Sequence, residues 1–311
     1  MNKACLIIIW FGSLPNYFDL WSKSVGNNSN IDFMLITDAD IENHYIPNNL
    51  IVQRSNLSLI KDKFQNLFDF DISLSSSYKL CDYRPCYGLA FSEELKKYEY
   101  WGHCDLDVIF GDVYSYIKDK LGIYDRILNR GHLCFYKNTP YMNSLYLKTD
   151  ESTNNAISYK YAFTQEFPCF FDETKGINLV SDLCKWYHED YENFIIDIFP
   201  DDFEFHSWSD KRKFIVKWEN GKIYKVFLDN KSQQEYMYVH FQKRVMKCEC
   251  DLSEVIYIRP NIFSNNSDYY VSKYTVYFYK LYLFRMRLRR VWKRIRQFGF
   301  LKYITHKRFT G

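Results

Sequence analysis

Apolar runs separated by segments of helical spacing characterise the first hundred residues. CLIIIWFG, IDFMLITDAD and NLIVQRSN predict three strands, and LPNYFDLWSKSVGNN has the spacing of a helix that ends near Gly26. Strands that alternate with helices predict an α/β fold with parallel strands, whose ligands gather at the carboxyl ends of the strands. The later segment SYKLCDYRPCYGLAFSEELKKY is expected to be a loop that leads into a helix.

The pattern becomes mixed after residue 112. YDRILNRGHLCFYKN predicts a strand, and FPCFFDETKGINLVSDLCKWY places two acidic residues just before a predicted helix. In FIVKWENGKIYKVFL, Asn220-Gly221 between alternating apolar residues predicts a hairpin with a type I′ turn. EYMYVHFQKRVM predicts a last strand that delivers four polar side chains together: His240, Gln242, Lys243 and Arg244.

The stretch YWGHCDLDVIFGDV places two carboxylates one residue apart between apolar runs. In an extended strand, Asp105 and Asp107 lie on one side and Leu106 points to the other. Carboxylates that close beside an apolar core cost free energy unless a cation or a proton joins them. Two interpretations stay open at this point, a divalent-metal site and a strand that ends in a solvated acidic turn.

The composition is that of a folded protein with a sizeable core. The chain has 311 residues, of which 47% are hydrophobic and 20% aromatic, with few glycines and prolines. This length suits one large domain or two modest ones. Nine scattered cysteines without a pair of C-x-x-C motifs favour reduced thiols in a cytosolic protein. The sequence has no G-x-G-x-x-G, P-loop or G-x-S-x-G motif, which weighs against dehydrogenases, P-loop proteins and hydrolases.

The charge is distributed unevenly along the chain. From Lys273 to Gly311 there are twelve lysines or arginines and no aspartate or glutamate, so the preceding 272 residues hold 29 basic and 38 acidic residues. Residues 280–298 combine a basic face with an apolar stripe, the pattern of a helix that lies in a membrane interface. Nucleic acid is the rival partner for such a run, but the aromatic stripe and the acidic remainder favour an anionic membrane surface and no nucleic acid. The stripe comprises Leu281, Phe284, Leu288, Val291, Trp292, Ile295 and Phe298.

The amino-terminal apolar run is short and lacks a small-residue cleavage site, and no window of about 20 apolar residues predicts a membrane span. We therefore expect a cytoplasmic protein that is peripheral on the inner face of the cell membrane.

The acidic pair and a distant histidine form a set that can hold a metal-bound diphosphate. Carboxylate oxygens suit Mg²⁺ or Mn²⁺, and an imidazole ligand from His240 favours Mn²⁺. Lys243 and Arg244 would add hydrogen-bond donors for the phosphates. Taken singly, His240 could equally be a half-buried strand histidine with a backbone partner. Lys243 and Arg244 could equally be the solvated end of a strand.

Over residues 3–247 the sequence resembles the GT-A-type glycosyltransferases that build bacterial capsule, exopolysaccharide and O-antigen chains. The resemblance rests on motifs that occur in order: WFGSLPNYFDLW, LITD, YKLCDYRPCYGLAF, YWGHCDLDVIFGD, RGHLCFYKN, WENGKIY and HFQKR. It implies a single GT-A-like domain over residues 1–270, with a Rossmann-like mixed sheet flanked by helices. A basic amphipathic tail over residues 271–311 would follow this domain.

The resemblance also implies roles for individual residues. Asp105 and Asp107 would be the DxD motif that binds Mn²⁺ (or Mg²⁺) and the diphosphate, with His240 as the third protein ligand. The resemblance further assigns a nucleoside pocket to Phe11, Gly12 and Asp38, and contacts with the ribose, diphosphate or donor sugar to Lys79, Asp82 and Arg84. His132 and Asn138 either contact donor or acceptor hydroxyls or orient a loop.

An inverting enzyme needs a carboxylate to accept the proton of the acceptor hydroxyl. Asp172 and Glu173 are the candidates, and the alternative is that they cap the start of a helix. A retaining enzyme would not need this base, so both stereochemical outcomes stay open.

The expected function is transfer of a sugar from a UDP-sugar, with galactose in pyranose or furanose form as the first donor to test. The acceptor would be a lipid-linked glycan of a bacterial surface polysaccharide. The alternatives are a non-catalytic carbohydrate-binding or scaffold protein at the membrane and a metal-dependent phosphohydrolase. A phosphohydrolase usually needs a denser set of metal ligands or an aspartate nucleophile motif.

Overall fold

A computed structural model describes residues 3–151, 155–188, 193–207, 209, 211–242 and 244–298. Its strands are β1 Ala4–Trp10, β2 Ile31–Thr37, β3 Leu50–Arg54, β4 Tyr100–Cys104, β5 Val108–Phe110, β6 Arg126–Arg130, β7 Leu133–Lys137, β8 Trp186–Tyr187, β9 Ile195–Asp197, β10 Phe205–His206, β11 Lys213–Glu219, β12 Lys222–Phe227, β13 Gln233–Tyr236, β14 Tyr238–His240, β15 Lys247–Glu249, β16 Val255–Arg259 and β17 Ile262–Ser264. Its α-helices are α1 Phe18–Gly26, α2 Leu57–Gln65, α3 Tyr87–Ala90, α4 Ser92–Leu95, α5 Val113–Ile117, α6 Pro140–Asn143, α7 Tyr159–Thr164 and α8 Lys273–Phe298. Segments of 3-10 helix cover Ser77–Cys86, Leu145–Asp150 and Ile177–Leu183.

The largest layer is a mixed seven-stranded sheet in the order β3-β2-β1-β4-β7-β6-β8. Strands β3, β2, β1 and β4 run parallel, as the alternation of strands and helices predicts. Strand β7 then pairs antiparallel with β4, and β6 antiparallel with β7. Strand β8 pairs parallel with β6 at the edge. The α/β class is therefore confirmed, with a mixed sheet that is parallel from β3 to β4 and contains antiparallel pairs beyond β4.

Strand β1 lies between two hydrophobic cores, which explains its unbroken apolar run. Leu6 and Ile8 pack into one core, and Cys5 and Ile7 into the other. A parallel strand that is covered on both faces reads as a continuous apolar stretch rather than an alternating one. Helix α1 covers the first face, and the second is filled by stacked aromatic rings of Phe64, Tyr83 and Phe163.

The segment predicted as a loop that leads into a helix is mostly 3-10 helix. Ser77–Cys86 adopts this tighter turn, and the two single-turn helices α3 and α4 follow it. Pro85 has no backbone N–H to donate, which removes a bond that a regular α-helix needs. Leu80, Tyr83 and Cys86 of this segment pack into the second core, and two of its charged side chains, Lys79 and Asp82, are fully buried.

A second sheet has the order β13-β12-β11-β16-β17-β15, with β10 paired to β11. Its β11–β12 hairpin turns at Asn220 and Gly221, which have φ angles of 48° and 77°. Two successive positive φ values are what a type I′ turn requires, so the hairpin prediction is confirmed.

The prediction of one continuous strand over residues 235–246 is wrong, because this segment forms two strands in different sheets. Strand β13 belongs to the second sheet, whereas β14 belongs to a separate three-stranded sheet in the order β5-β14-β9. The chain changes sheet at Met237, and Gln242 beyond β14 has a left-handed φ of 48°. Alternation along one strand is the same in either sheet, so the sequence pattern does not reveal the change of partner.

Helix α8 is the long basic helix that the tail pattern predicts, within the residues described. It contacts the rest of the protein through Tyr279, whose hydroxyl donates to the Pro200 carbonyl over 2.6 Å, and through an ion pair of Arg287 with Asp201 at 2.7 Å. Among the described helices, none combines the length and the hydropathy needed to cross a bilayer.

Candidate metal centre

Asp105 and Asp107 lie in a bend between β4 and β5 rather than in a continuous strand. Simple strand alternation is therefore not what brings their carboxylates together, although Leu106 is buried as expected. The bend places both carboxylates beside His240, and one ligand atom from each of the three residues lies within 4.8 Å of the others. The three predicted metal ligands therefore converge.

The three-stranded sheet sets this convergence. His240 ends the central strand β14, where it pairs with Val108 of β5 and with Asp197 of β9. The Phe241 N–H donates to the Asp107 carbonyl over 2.8 Å. Backbone pairing therefore fixes His240 between the acidic bend and Asp197.

The imidazole of His240 lies between two carboxylates. Its Nδ1 is 2.9 Å from Asp197 Oδ1, and its Nε2 is 3.6 Å from Asp107 Oδ1. Burial alone would lower the pKa of His240, but the interactions of its ring with the carboxylates of Asp107 and Asp197 outweigh burial and raise this pKa to about 10. A metal ion at Nε2 would replace the proton there, and the Asp107 carboxylate that faces Nε2 would stabilise the ion as it stabilises the proton.

A second set of potential ligands shares this imidazole. His132, Asp197 and His240 also bring one atom each within 4.8 Å, and the rings of His132 and His240 stack with centroids 4.1 Å apart. In this set His132 Nδ1 already bonds the Tyr238 hydroxyl over 2.8 Å. The set with Asp105 and Asp107 offers two carboxylates and one imidazole, which fits Mn²⁺ or Mg²⁺ better.

Arg84 joins the acidic bend to the candidate base. Its guanidinium donates to Asp105 Oδ1, and over 2.8 Å each to Asp172 Oδ2 and the Gly131 carbonyl. The Gly131 N–H in turn donates to Glu173 Oε1. A side chain at position 131 would collide with these groups, since a Cβ there would lie 2.8 Å from both Arg84 and Asp172. Glycine therefore permits this close approach.

The side chains of Asp172 and Glu173 face this cluster and do not cap a helix. A 3-10 segment starts at Ile177, and the two carboxylates instead accept from Arg84 and from the Gly131 N–H. The capping interpretation is therefore wrong for these side chains. Burial and, to a smaller extent, the nearby Glu173 carboxylate raise the pKa of Asp172 to about 7 against the opposing effect of Arg84.

Lys79 and Asp82 occupy a different place from the one predicted. Their side chains are fully buried and form an ion pair of 2.7 Å. Lys79 Nζ also donates to two main-chain carbonyls, while Asp82 accepts from the N–H groups of Cys169 and Phe171. A direct contact with the ribose, diphosphate or donor sugar is thus not supported. The pair instead fixes the backbone beside Asp172.

A cleft of about 500 Å³ lies beside the loop that follows β1. Gly12 and Asp38 both line it, as the nucleoside-pocket prediction requires, and the Gly12 N–H donates to Asp38 Oδ1 over 2.7 Å. Asn16 lines the same cleft, and the ring of the next residue, Tyr17, packs edge-on against Phe241 with ring centroids 5.9 Å apart. The Phe241 N–H in turn donates to the Asp107 carbonyl. The cleft and the acidic bend are therefore neighbours. Phe11 is partly buried and packs against the second core.

Arg244 and Asn138 are structural in this arrangement. The buried Arg244 donates to the carbonyls of Phe199, Asp202 and Phe203, so it holds a loop rather than facing a phosphate. Asn138 donates to two carbonyls of the turn at residues 95–98, the loop-orienting alternative for this residue. Lys243 lies outside the described residues.

Asp197 is the residue of this centre that the sequence interpretation missed. It follows the apolar run FII in YENFIIDIF, as Asp38 follows another apolar run and as Asp105 follows β4. A carboxylate directly after a buried strand was therefore a usable signal. His132 was predicted either to contact donor or acceptor hydroxyls or to orient a loop, and its ring stacks on His240 beside the centre.

The chain belongs to the family described as "Family of unknown function (DUF6625)", whose model matches residues 6–267. The matched region contains the acidic bend, His240 and Asp197, and it ends before helix α8. A search of curated proteins found no match.

Proposed function

We propose that this member of the family is a metal-dependent glycosyltransferase with a GT-A-like fold. The donor would be a UDP-sugar, with galactose as the first sugar to test, and the acceptor a lipid-linked glycan of a bacterial surface polysaccharide. The observation that carries the proposal is the convergence of Asp105, Asp107 and His240 beside a cleft at the carboxyl edge of parallel strands.

The residues of the cleft and those of the acidic bend would bind different parts of the donor. Asp38 and the loop at Gly12 line the side where a nucleoside would bind. Asp105, Asp107 and His240 would hold Mn²⁺ or Mg²⁺, which neutralises charge on a leaving diphosphate. Arg84 keeps Asp105 in place and adds positive charge next to the bend.

Asp172 is the stronger candidate for the base in an inverting reaction. It lies on the far side of Arg84 from Asp105, and its pKa, raised to about 7, suits proton abstraction near neutral pH. Glu173 contacts the Gly131 N–H, so its carboxylate has a main-chain partner that shapes the same loop.

Replacement of these two carboxylates separates their roles. Asp172→Asn should lower sugar transfer by about 10²- to 10⁴-fold with donor affinity unchanged, as expected for loss of a general base. Transfer by the unchanged protein should rise with pH through about 7, because the base acts only when deprotonated. Glu173→Gln serves as the matched control and should have the smaller effect. Full transfer by Asp172→Asn would exclude it as the base.

Helix α8 presents an apolar surface that the described residues do not cover. Phe284 and Trp292 are 59% and 62% exposed, and arginines surround them in sequence. Exposed aromatic side chains beside basic ones are typical of helices that bind the interface of an anionic membrane. Such binding would bring a lipid-linked acceptor to the enzyme.

Deletion of residues 273–311 is expected to release the protein from anionic liposomes. Each basic residue near such a surface contributes about 1 kcal/mol, so loss of twelve removes most of the attraction. Co-sedimentation at physiological salt measures the binding, and metal-dependent nucleotide binding should persist as the control for folding. Equal co-sedimentation of the truncated and full-length proteins would rule out the tail as the membrane anchor.

The experiment that tests the proposed function is a thermal-shift panel of UDP, GDP, CDP and TDP with Mn²⁺, Mg²⁺ or EDTA. A ligand at a hundred times its dissociation constant stabilises the folded state by about 2.7 kcal/mol. We expect a shift with UDP that requires the metal. Absence of a shift with every nucleotide would contradict the proposal and favour a scaffold protein. Release of phosphate without an acceptor would favour a phosphohydrolase.

A further inference from the structure

We propose that Asp197 is the residue that orients His240 as a metal ligand. The inference rests on the proposed function, because it concerns the same metal centre. Asp197 would act through His240 rather than touch the ion, which makes it a positioning residue.

The geometry separates the two edges of the imidazole. Nδ1 faces Asp197 Oδ1 at 2.9 Å, a hydrogen-bond distance, while Nε2 faces the acidic bend. A histidine that donates from Nδ1 to a carboxylate keeps its Nε2 lone pair available and fixed in direction. The Asp197 bond therefore selects the nitrogen that faces Asp107.

The position of Asp197 is itself fixed on three sides. Its backbone pairs with His240 in the parallel ladder of β9 and β14, and the next residue, Ile198, donates to the His240 carbonyl over 2.9 Å. Gln242 Nε2 donates to Asp197 Oδ1 over 2.7 Å. Two donors thus converge on the same carboxylate oxygen, which leaves the side chain little freedom to turn.

This convergence predicts how two substitutions differ. In Asp197→Asn the amide can present its oxygen to the same two donors, so the orientation of His240 should survive the loss of charge. In Asp197→Ala no acceptor remains, and the His240 ring is free to rotate or to donate elsewhere. If Asp197 were instead a metal ligand, the amide would be a poor substitute for the carboxylate.

The test is Mn²⁺ binding to the full-length protein, measured as loss of the free-ion signal in electron paramagnetic resonance. Asp197→Ala should weaken binding by about 10- to 100-fold, the usual effect of losing a partner of a ligating histidine. Asp197→Asn should retain most of the affinity. Asp202→Asn, the same change on an exposed side chain of the same segment, is the matched control and should bind as the unchanged protein does. Thermal midpoints show whether each variant is folded.

Three other outcomes would overturn the inference, and they are distinguishable. Unchanged affinity in a folded Asp197→Ala variant would show that His240 needs no orienting carboxylate. An Asp197→Asn variant that loses as much affinity as Asp197→Ala would show that the negative charge of Asp197 is needed, either as a direct metal ligand or as a counter-charge to the ion. If the unchanged protein binds no Mn²⁺ while its fold is intact, the proposed metal centre itself fails, and this inference fails with it.

Discussion

Asp107→Ala should abolish metal-dependent nucleotide binding and reduce sugar transfer by about a thousandfold or more. A catalytic metal contributes several kcal/mol to the transition state, and each 1.36 kcal/mol is a factor of ten in rate. The fold should remain, because the backbone carbonyl of Asp107 still accepts from Phe241. The measurement compares thermal shifts with UDP and Mn²⁺ and transfer rates for the variant and the unchanged protein.

Asp112→Ala is the matched control for this prediction. Asp112 lies five residues further along, caps helix α5 by accepting from the Ser115 N–H, and makes no part of the proposed centre. Its loss should cost about 1 kcal/mol of stability and leave the metal requirement unchanged. A fully active Asp107→Ala variant would remove the acidic bend from the proposed mechanism.

Lys79→Ala should destabilise the protein by about 3–5 kcal/mol, because it leaves the buried carboxylate of Asp82 without its counter-charge. The substitution also removes the ammonium that donates to the carbonyls of Ala162 and Phe167. Thermal unfolding or denaturant titration measures the loss. Sugar transfer should fall as well, because Asp82 holds the backbone next to Asp172.

Lys63→Ala provides the comparison. Lys63 pairs with Glu94 at 2.9 Å, but the two side chains are 35% and 24% exposed. Partly solvated pairs contribute about 0–1 kcal/mol, so this variant should remain close to the unchanged protein in stability. If Lys79→Ala kept its stability and lost only nucleotide affinity, Lys79 would contact the donor after all.

The local pattern of the sequence determined the elements that depend on neighbours in the chain. The apolar runs of β1 and β2 predicted buried parallel strands, and Asn220-Gly221 predicted its hairpin. These features follow from side-chain period and turn chemistry, which act over a few residues. The position of the acidic pair was also predictable from local pattern, since a carboxylate directly after an apolar run lies at the edge of a sheet.

The partners of the charged side chains were determined only by the tertiary structure. Arg84 and Arg244 are both basic residues in polar stretches, yet one lies between two carboxylates and the other supports a loop of carbonyls. Arg84 meets Asp172 across 88 positions of sequence, and His240 meets Asp197 across 43. The free energy of a charge depends on its partners and on its distance from water, and partners that far apart in the chain become neighbours only when the sheets assemble.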